Sequence, residues 1–314
     1  MSYDTFYMSN VVLLFSGQGA QTVGMAKDLL ENYPSAKSLL EQADSILGRS
    51  ITDIMFNGPD EELTKTANCQ PALFLHGLAL LTVLKEKCPH LTPVAAAGLS
   101  LGELTAHTAA GTFNFEEGLK LVAHRGALMD EACAATAGTM AAVIGGEPEN
   151  IQKLAEESGI DVANYNCPGQ IVISGTEEGV DTAVAGAKGA GAKIAKKLKV
   201  AGAYHSRLMA SAQEKLGTAL KDVSVNDSSI PVIANLTAEP AQGEEAVKHT
   251  LTNQVTGSVR WTESMQYLLS QGHTTFIELG PGKVLKGFMN RIDKSVDFYT
   301  IEDAASLEEV ISQL

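Results

Sequence analysis

Pro93-Val94-Ala95-Ala96-Ala97-Gly98-Leu99-Ser100-Leu101-Gly102-Glu103-Leu104-Thr105-Ala106 is the stretch on which the fold turns. Its apolar start predicts a buried strand, and Glu103 onward predicts a helix. Gly98 to Gly102 between them has the G-x-S-x-G spacing of a nucleophile elbow. So sharp a turn strains the serine backbone, and glycines leave room for it. The hydroxyl then stands above a sheet edge with the next backbone N–H facing the same space, an arrangement suited to attack on an acyl carbon. The pentapeptide alone also fits a plain Gly/Ser turn.

Outward from the elbow, strands alternate with helices. Val11 to Phe15 predicts a strand that leads into the turn Ser16-Gly17-Gln18-Gly19, and helical patterns follow at 24–32, 35–47, 70–87 and 115–135. That alternation predicts a mostly parallel sheet covered on both faces. The rhythm changes near 136. A strand at 139–144, a helix at 148–158, strands at 161–165 and 170–174, a helix at 177–190 and a strand at 192–198 read βαββαβ, a ferredoxin-like insert. The large-domain pattern then resumes with helices at 206–220, 244–254, 261–271 and 283–292 and strands at 231–235 and 274–279. The expected fold class is α/β, with a large subdomain (1–135 and 202–314) and a small one (136–201).

With 314 residues, 45% hydrophobic and 19% charged, the chain has ample material for a core. Its four cysteines are scattered and form no C-x-x-C pair, which predicts reduced, packed thiols. Met1 to Tyr7 contains no basic residue, and no run approaches the roughly 18 apolar residues of a membrane span. A cytoplasmic protein with no membrane partner is expected. The net charge of −14 argues against nucleic acid. Against that charge, Lys188, Lys193, Lys196, Lys197 and Lys199 form a local basic strip that could steer an acidic partner, together with Lys283, Lys286 and Arg291. A solvated helix end and strand edge is the competing reading.

Further motifs carry a resemblance. Phe15 to Gln21, Gly98 to Glu103, His124-Arg125-Gly126, Asn164 to Gln170, Tyr204-His205-Ser206, Pro231 to Ala238, Val259-Arg260-Trp261 and Gly280 to Lys283 fall in matching order and spacing. From Val11 onward the chain resembles the malonyl-CoA:acyl carrier protein transacylase family of type II fatty acid synthesis. That resemblance implies an α/β-hydrolase-like large subdomain with a ferredoxin-like insert. It also implies a ping-pong transfer of malonyl from coenzyme A through Ser100 to the phosphopantetheine thiol of acyl carrier protein. No cofactor or metal is implied beyond these substrates, and a monomer is expected.

By the same resemblance His205 is the base, whereas sequence alone leaves seven histidines open, His107 among them on the elbow's own helix. The backbone carbonyl of Gln254 is implied to hold the histidine, and the N–H groups of Gln18 and Leu101 to form the oxyanion hole. Arg125 would grip the malonyl carboxylate in its planar fork, the alternative being an exposed arginine paired to Asp130 or Glu131. Gln70, Met129, Gln170 and Val284 occupy family pocket positions. Leu99 stands where the family often has histidine. A polyketide acyltransferase loading another acyl unit, and a serine hydrolase, are the competing functions. The hydrolase would want an acid partner for its histidine. The absence of an attached ketosynthase or linker segment favours fatty acid synthesis or a separately encoded loader.

Overall fold

The structure, a computed structural model, describes residues 10–314, so the Met1–Tyr7 stretch read for a leader lies outside the described residues. The strands in chain order are β1 (Asn10–Phe15), β2 (Thr92–Gly98), β3 (Thr139–Gly145), β4 (Asp161–Cys167), β5 (Gln170–Gly175), β6 (Ala192–Lys197), β7 (Val232–Ile233), β8 (Thr275–Leu279) and β9 (Asp297–Ile301). They form two sheets. One is all parallel in the order β7-β2-β1-β8-β9. The other is antiparallel in the order β4-β5-β3-β6.

The run Val11 to Phe15 shows why β1 is central: every residue in it is buried. Alternate side chains of a strand point to opposite faces. Val11, Leu13 and Phe15 therefore join the core under the helices Pro34–Leu47, Thr66–Lys87 and Phe115–Ala135, while Val12 and Leu14 pack with Trp261, Met265 and Leu285 on the other face. The small sheet divides in the same way. Val143, Ile171 and Ile173 pack against the helices Pro148–Glu157 and Glu177–Gly186, while Met140 and Val172 turn toward the large core. Main-chain bonds from Tyr165 N–H to Val259 (2.9 Å) and from Val259 N–H to Ala163 (2.8 Å) tie the two halves together.

Several predicted elements change. The helix expected at 70–87 begins at Thr66 and runs through Pro71. A proline there cannot bond the Ala67 carbonyl, and Arg49 Nη2 takes that oxygen at 2.7 Å instead. This helix is also long and apolar enough to cross a membrane, contrary to the expectation that none would be. Asn68, Gln70 and His76 interrupt its apolar run in sequence, and 89% of its most apolar window is buried inside the fold. The strand expected at 231–235 shrinks to Val232–Ile233, because Asn235 turns away to bond the elbow. Short helices Ile51–Asn57 and Asp60–Thr64, and the closing β9 with the helix Ala304–Ile311, were not predicted.

Candidate active site

Ser100 sits at φ 55°, ψ −105°, between the end of β2 and the helix Leu101–Ala109. Side chains on the flanking glycines would not fit. A Cβ at Gly98 would lie 2.0 Å from the Gly102 carbonyl, and one at Gly102 would lie 2.4 Å from the Phe15 oxygen. Asn235 pins the turn from both sides: its Oδ1 accepts from Ser100 N–H (2.7 Å), and its Nδ2 donates to the Gly98 carbonyl (2.8 Å). The strain is thereby held in place by the surrounding structure.

Ser100 Oγ lies 2.8 Å from His205 Nε2. Nδ1 of the same ring faces two carbonyls, Gln254 at 2.8 Å and Gly257 at 3.2 Å. Two acceptors there require the proton on Nδ1, which leaves Nε2 free to accept from the serine. His205 also has a positive φ of 53° and is only 3% exposed. Burial, helped by the Arg125 charge, pushes its pKa down to about 4, so the ring is neutral near pH 7. His107 does not compete: it is buried against Phe113 and bonds Thr112 Oγ1 at 3.1 Å.

Arg125 is 1% exposed. Its Nη2 donates to Ser100 Oγ (3.1 Å) and Gln254 Oε1 (2.9 Å), and its Nη1 donates to Gln70 Oε1 (2.8 Å). The exposed-arginine alternative fails. Asp130 accepts from Thr66 and Ala67 N–H, and Glu131 pairs with Lys215. Every acceptor on the guanidinium is neutral. Burial lowers its pKa to about 10, opposed by the nearby Glu103 charge, and the group stays cationic at neutral pH. A buried cation beside the Ser100 hydroxyl, without an ion-pair partner among the described residues, is suited to an anionic ligand.

A cavity of about 250 Å³ opens over Ser100 and His205. Gln18, Leu99, Met129 and Val284 line it, joined by Asn164, Asn166 and Val172 from the small sheet. Gln70 is one shell deeper, between Arg125 and the Met129 sulfur (3.3 Å). Gln170 is placed differently from the expectation. It opens β5 at the hairpin with β4, its Oε1 3.6 Å from Cys167 Sγ, and is not among the lining residues. Leu101 begins its helix, so its N–H belongs to the first turn, whose donors have no helical acceptor. The Gln18 loop is brought to the elbow by the bond from Leu99 N–H to the Phe15 carbonyl (3.1 Å).

Three participants escaped the sequence reading: Asn235, Glu103 and the Gly257 carbonyl. Glu103 is fully buried and accepts from Asn235 N–H (2.8 Å) and Gln254 Nε2 (2.7 Å). In sequence, Ser100-x-x-Glu103 reads as a helix capping box, which conceals this use. A polar residue closing the apolar run Pro231 to Ala234 was the available signal for Asn235.

A strained serine, a neutral histidine held by carbonyls and a buried cation facing the same oxygen define an acyl-transferring site. The chain belongs to the acyl transferase family, whose domain matches residues 12–310. Within that family it is 42% identical to malonyl CoA-acyl carrier protein transacylase of Bacillus subtilis, over 98% of both chains. It is 38% identical to the Haemophilus influenzae protein of the same name, over 96% of this chain and 98% of that one. Among solved structures, a malonyl-transacylase in complex with its type II polyketide acyl-carrier protein superposes with a TM-score of 0.94 at 35% identity, covering 98% of this chain and all of the other. An acyl carrier protein S-malonyltransferase from Vibrio cholerae gives 0.92 at 37% identity, over 96% of this chain and 100% of that one. The resemblance read from the motifs and the α/β fold with its inserted small sheet are both borne out.

Proposed function

We propose that this chain moves malonyl from coenzyme A to the phosphopantetheine thiol of acyl carrier protein by way of an ester on Ser100. As Oγ attacks the thioester carbonyl, His205 Nε2 takes its proton, and the carbonyl oxygen becomes an oxyanion facing the N–H groups of Gln18 and Leu101. Collapse expels the coenzyme A sulfur, which leaves with the proton from His205. The carrier thiol then runs the sequence in reverse: its proton passes to His205, its sulfur attacks the ester, and Oγ departs reprotonated. The Gln254 and Gly257 carbonyls keep Nδ1 protonated throughout, so no acid partner is needed.

The observation that carries this reading is the 3.1 Å approach of Arg125 Nη2 to Ser100 Oγ. It sets a fork for a carboxylate beside the atom that would hold the acyl group. Gln70 and Gln254 hold that fork, and Met129 and Val284 bound the cavity, while Gln170 stays on the hairpin outside it. A hydrolase reading has no comparable support, since His205 faces carbonyls and no carboxylate. Polyketide supply is the second reading, supported by the structural likeness to a transacylase bound to a polyketide carrier.

The reading includes a monomer working in the cytoplasm. It also includes a small subdomain over 136–201 that closes the cavity from above. Just past β6, Leu198 and Lys199 line the cavity, and within the strand Lys196 lies on the opposite face from Lys197, which turns to Asp181 at 2.8 Å. Lys196 and Lys199 are therefore the part of the basic strip that would meet an acidic carrier.

Radioactive malonyl-CoA tests the assignment. Wild type should retain label through denaturation, and a folded Ser100→Ala variant should retain none. Label on that variant would contradict the proposal.

A further inference from the structure

Glu103 is a carboxylate with 0% exposure, and one of its oxygens, Oε1, has no hydrogen-bond partner. Burying such a group is costly, and helix capping does not explain it. The Ser100 side chain makes no cap bond, and Ser100 N–H is held by Asn235. The other oxygen, Oε2, instead accepts from Asn235 N–H and Gln254 Nε2. Gln254 is itself fully buried, with Nε2 also donating to the Ser100 carbonyl (3.0 Å) and Oε1 accepting from Arg125 Nη2 (2.9 Å).

Burial raises the Glu103 pKa to about 7, opposed by its bonds from Asn235 and Gln254, but Oε2 already accepts from Asn235 N–H and is an acceptor whether or not Oε1 carries a proton. Gln254 must therefore turn its NH2 toward Glu103, which leaves its oxygen for the guanidinium. The opposite orientation would set N–H against N–H at Arg125 and oxygen against oxygen at Glu103. The arrangement also places a carboxyl group one side chain away from Arg125. A direct ion pair would hold the fork against an incoming anion, whereas here only neutral acceptors occupy it, which a carboxylate can displace.

We propose that Glu103 is a positioning residue for acyl transfer: through the Gln254 side chain it fixes the Arg125 guanidinium against Ser100, and so sets the preference for donors ending in a carboxylate. This rests on the malonyl reading above. Glu103 touches neither acyl group nor nucleophile. Its contact with Asn235 supports the elbow for every donor alike, as does the bond from Gln254 Nε2 to the Ser100 carbonyl, whereas the bond from Arg125 to Gln254 Oε1 bears on donors that Arg125 grips.

The test is the ratio of Ser100 acylation rates with malonyl-CoA and acetyl-CoA, followed by mass spectrometry on folded variants. Glu103→Ala should lower the malonyl preference by about tenfold or more, as a small displacement of a positioned group does. Glu103→Gln, which can still accept from Gln254, should restore most of it. If Glu103→Ala does not fold, Glu103→Asp keeps the carboxyl group, falls short of Gln254, and should lose the preference likewise. An unchanged ratio in either shortened variant, or an equal slowing of both donors, would overturn the proposal. Ester formation on wild type with malonyl-CoA, measured alongside, tests the underlying reading separately.

Discussion

The elbow around Ser100 and the small antiparallel sheet are built on opposite terms. At the elbow two non-glycine residues adopt positive φ, a carboxylate and a guanidinium are buried, and Glu103 Oε1 and Arg125 Nε lack partners. In β3 and β5 of the small sheet the apolar residues alternate between two packed faces, and Val143, Ile171 and Ile173 close a core of their own under two helices. Local rules are kept through most of the small sheet, where Ser174 Oγ and Asn166 Oδ1 are the unpartnered buried atoms, and are broken most densely around Ser100. The stability for the broken ones comes from the regular parts.

The sharpest way to break this contrast is to remove the buried cation. Arg125→Ala should lower kcat/KM for malonyl-CoA by about a hundredfold or more, since losing one partner of a buried charged contact costs about 2–5 kcal/mol. It should leave a folded protein with greater relative tolerance of uncharged short acyl donors. If malonyl remains preferred, the anchor lies elsewhere.

Acidity gives the next effect. With His205 held down to about 4, ester formation should show no loss at the usual histidine pKa of 6.5. It should fall about tenfold per pH unit below the shifted value. The unfolded chain binds this proton first, so the same shift lowers folding stability as pH drops from about 6.5 toward 4. A rate profile bending near 6.5 would show that the ring is more open to water than its burial implies.

Ile173→Ala perturbs the regular half. It should cost about 2–5 kcal/mol of stability, read from denaturant midpoints, while the folded fraction keeps its malonyl-to-acetyl ratio. A changed ratio would mean that the small core sets selectivity, and the contrast would dissolve. The mildest effect belongs to the surface. Reversing Lys196 and Lys199 to glutamate should raise the KM for acyl carrier protein a few fold at low salt and vanish at high salt. Lys197→Glu, on the other face beside Asp181, should do less.

What was legible in the sequence follows the same divide. β1, the elbow and the βαββαβ insert were readable because their periods are local, and the G-x-S-x-G spacing together with the family motif Tyr204-His205-Ser206 pointed to the two side chains that the structure brings within 2.8 Å. The network beneath the pair was not. Glu103 meets Asn235 and Gln254 across 132 and 151 residues, and no local period announces such a contact. Gln170 shows another limit. Register irregularities in β4 at Val162/Asn164 and Tyr165/Cys167 disturb simple alternation, and it is Asn164 and Asn166 that line the cavity. The membrane-length helix Thr66–Lys87 escaped notice because its polar residues break the apolar run that a linear scan counts.

The central claim is that one hydroxyl carries the acyl group between two thiols. Quenched-flow peptide mapping addresses it directly: mix the protein with malonyl-CoA, stop part of the sample, and chase the rest with holo-acyl carrier protein. The account predicts a malonyl ester on the peptide containing Ser100, lost on chase in step with malonyl appearing on the carrier. An acyl group on another residue, or carrier loading with no enzyme-bound ester at any time, would contradict it.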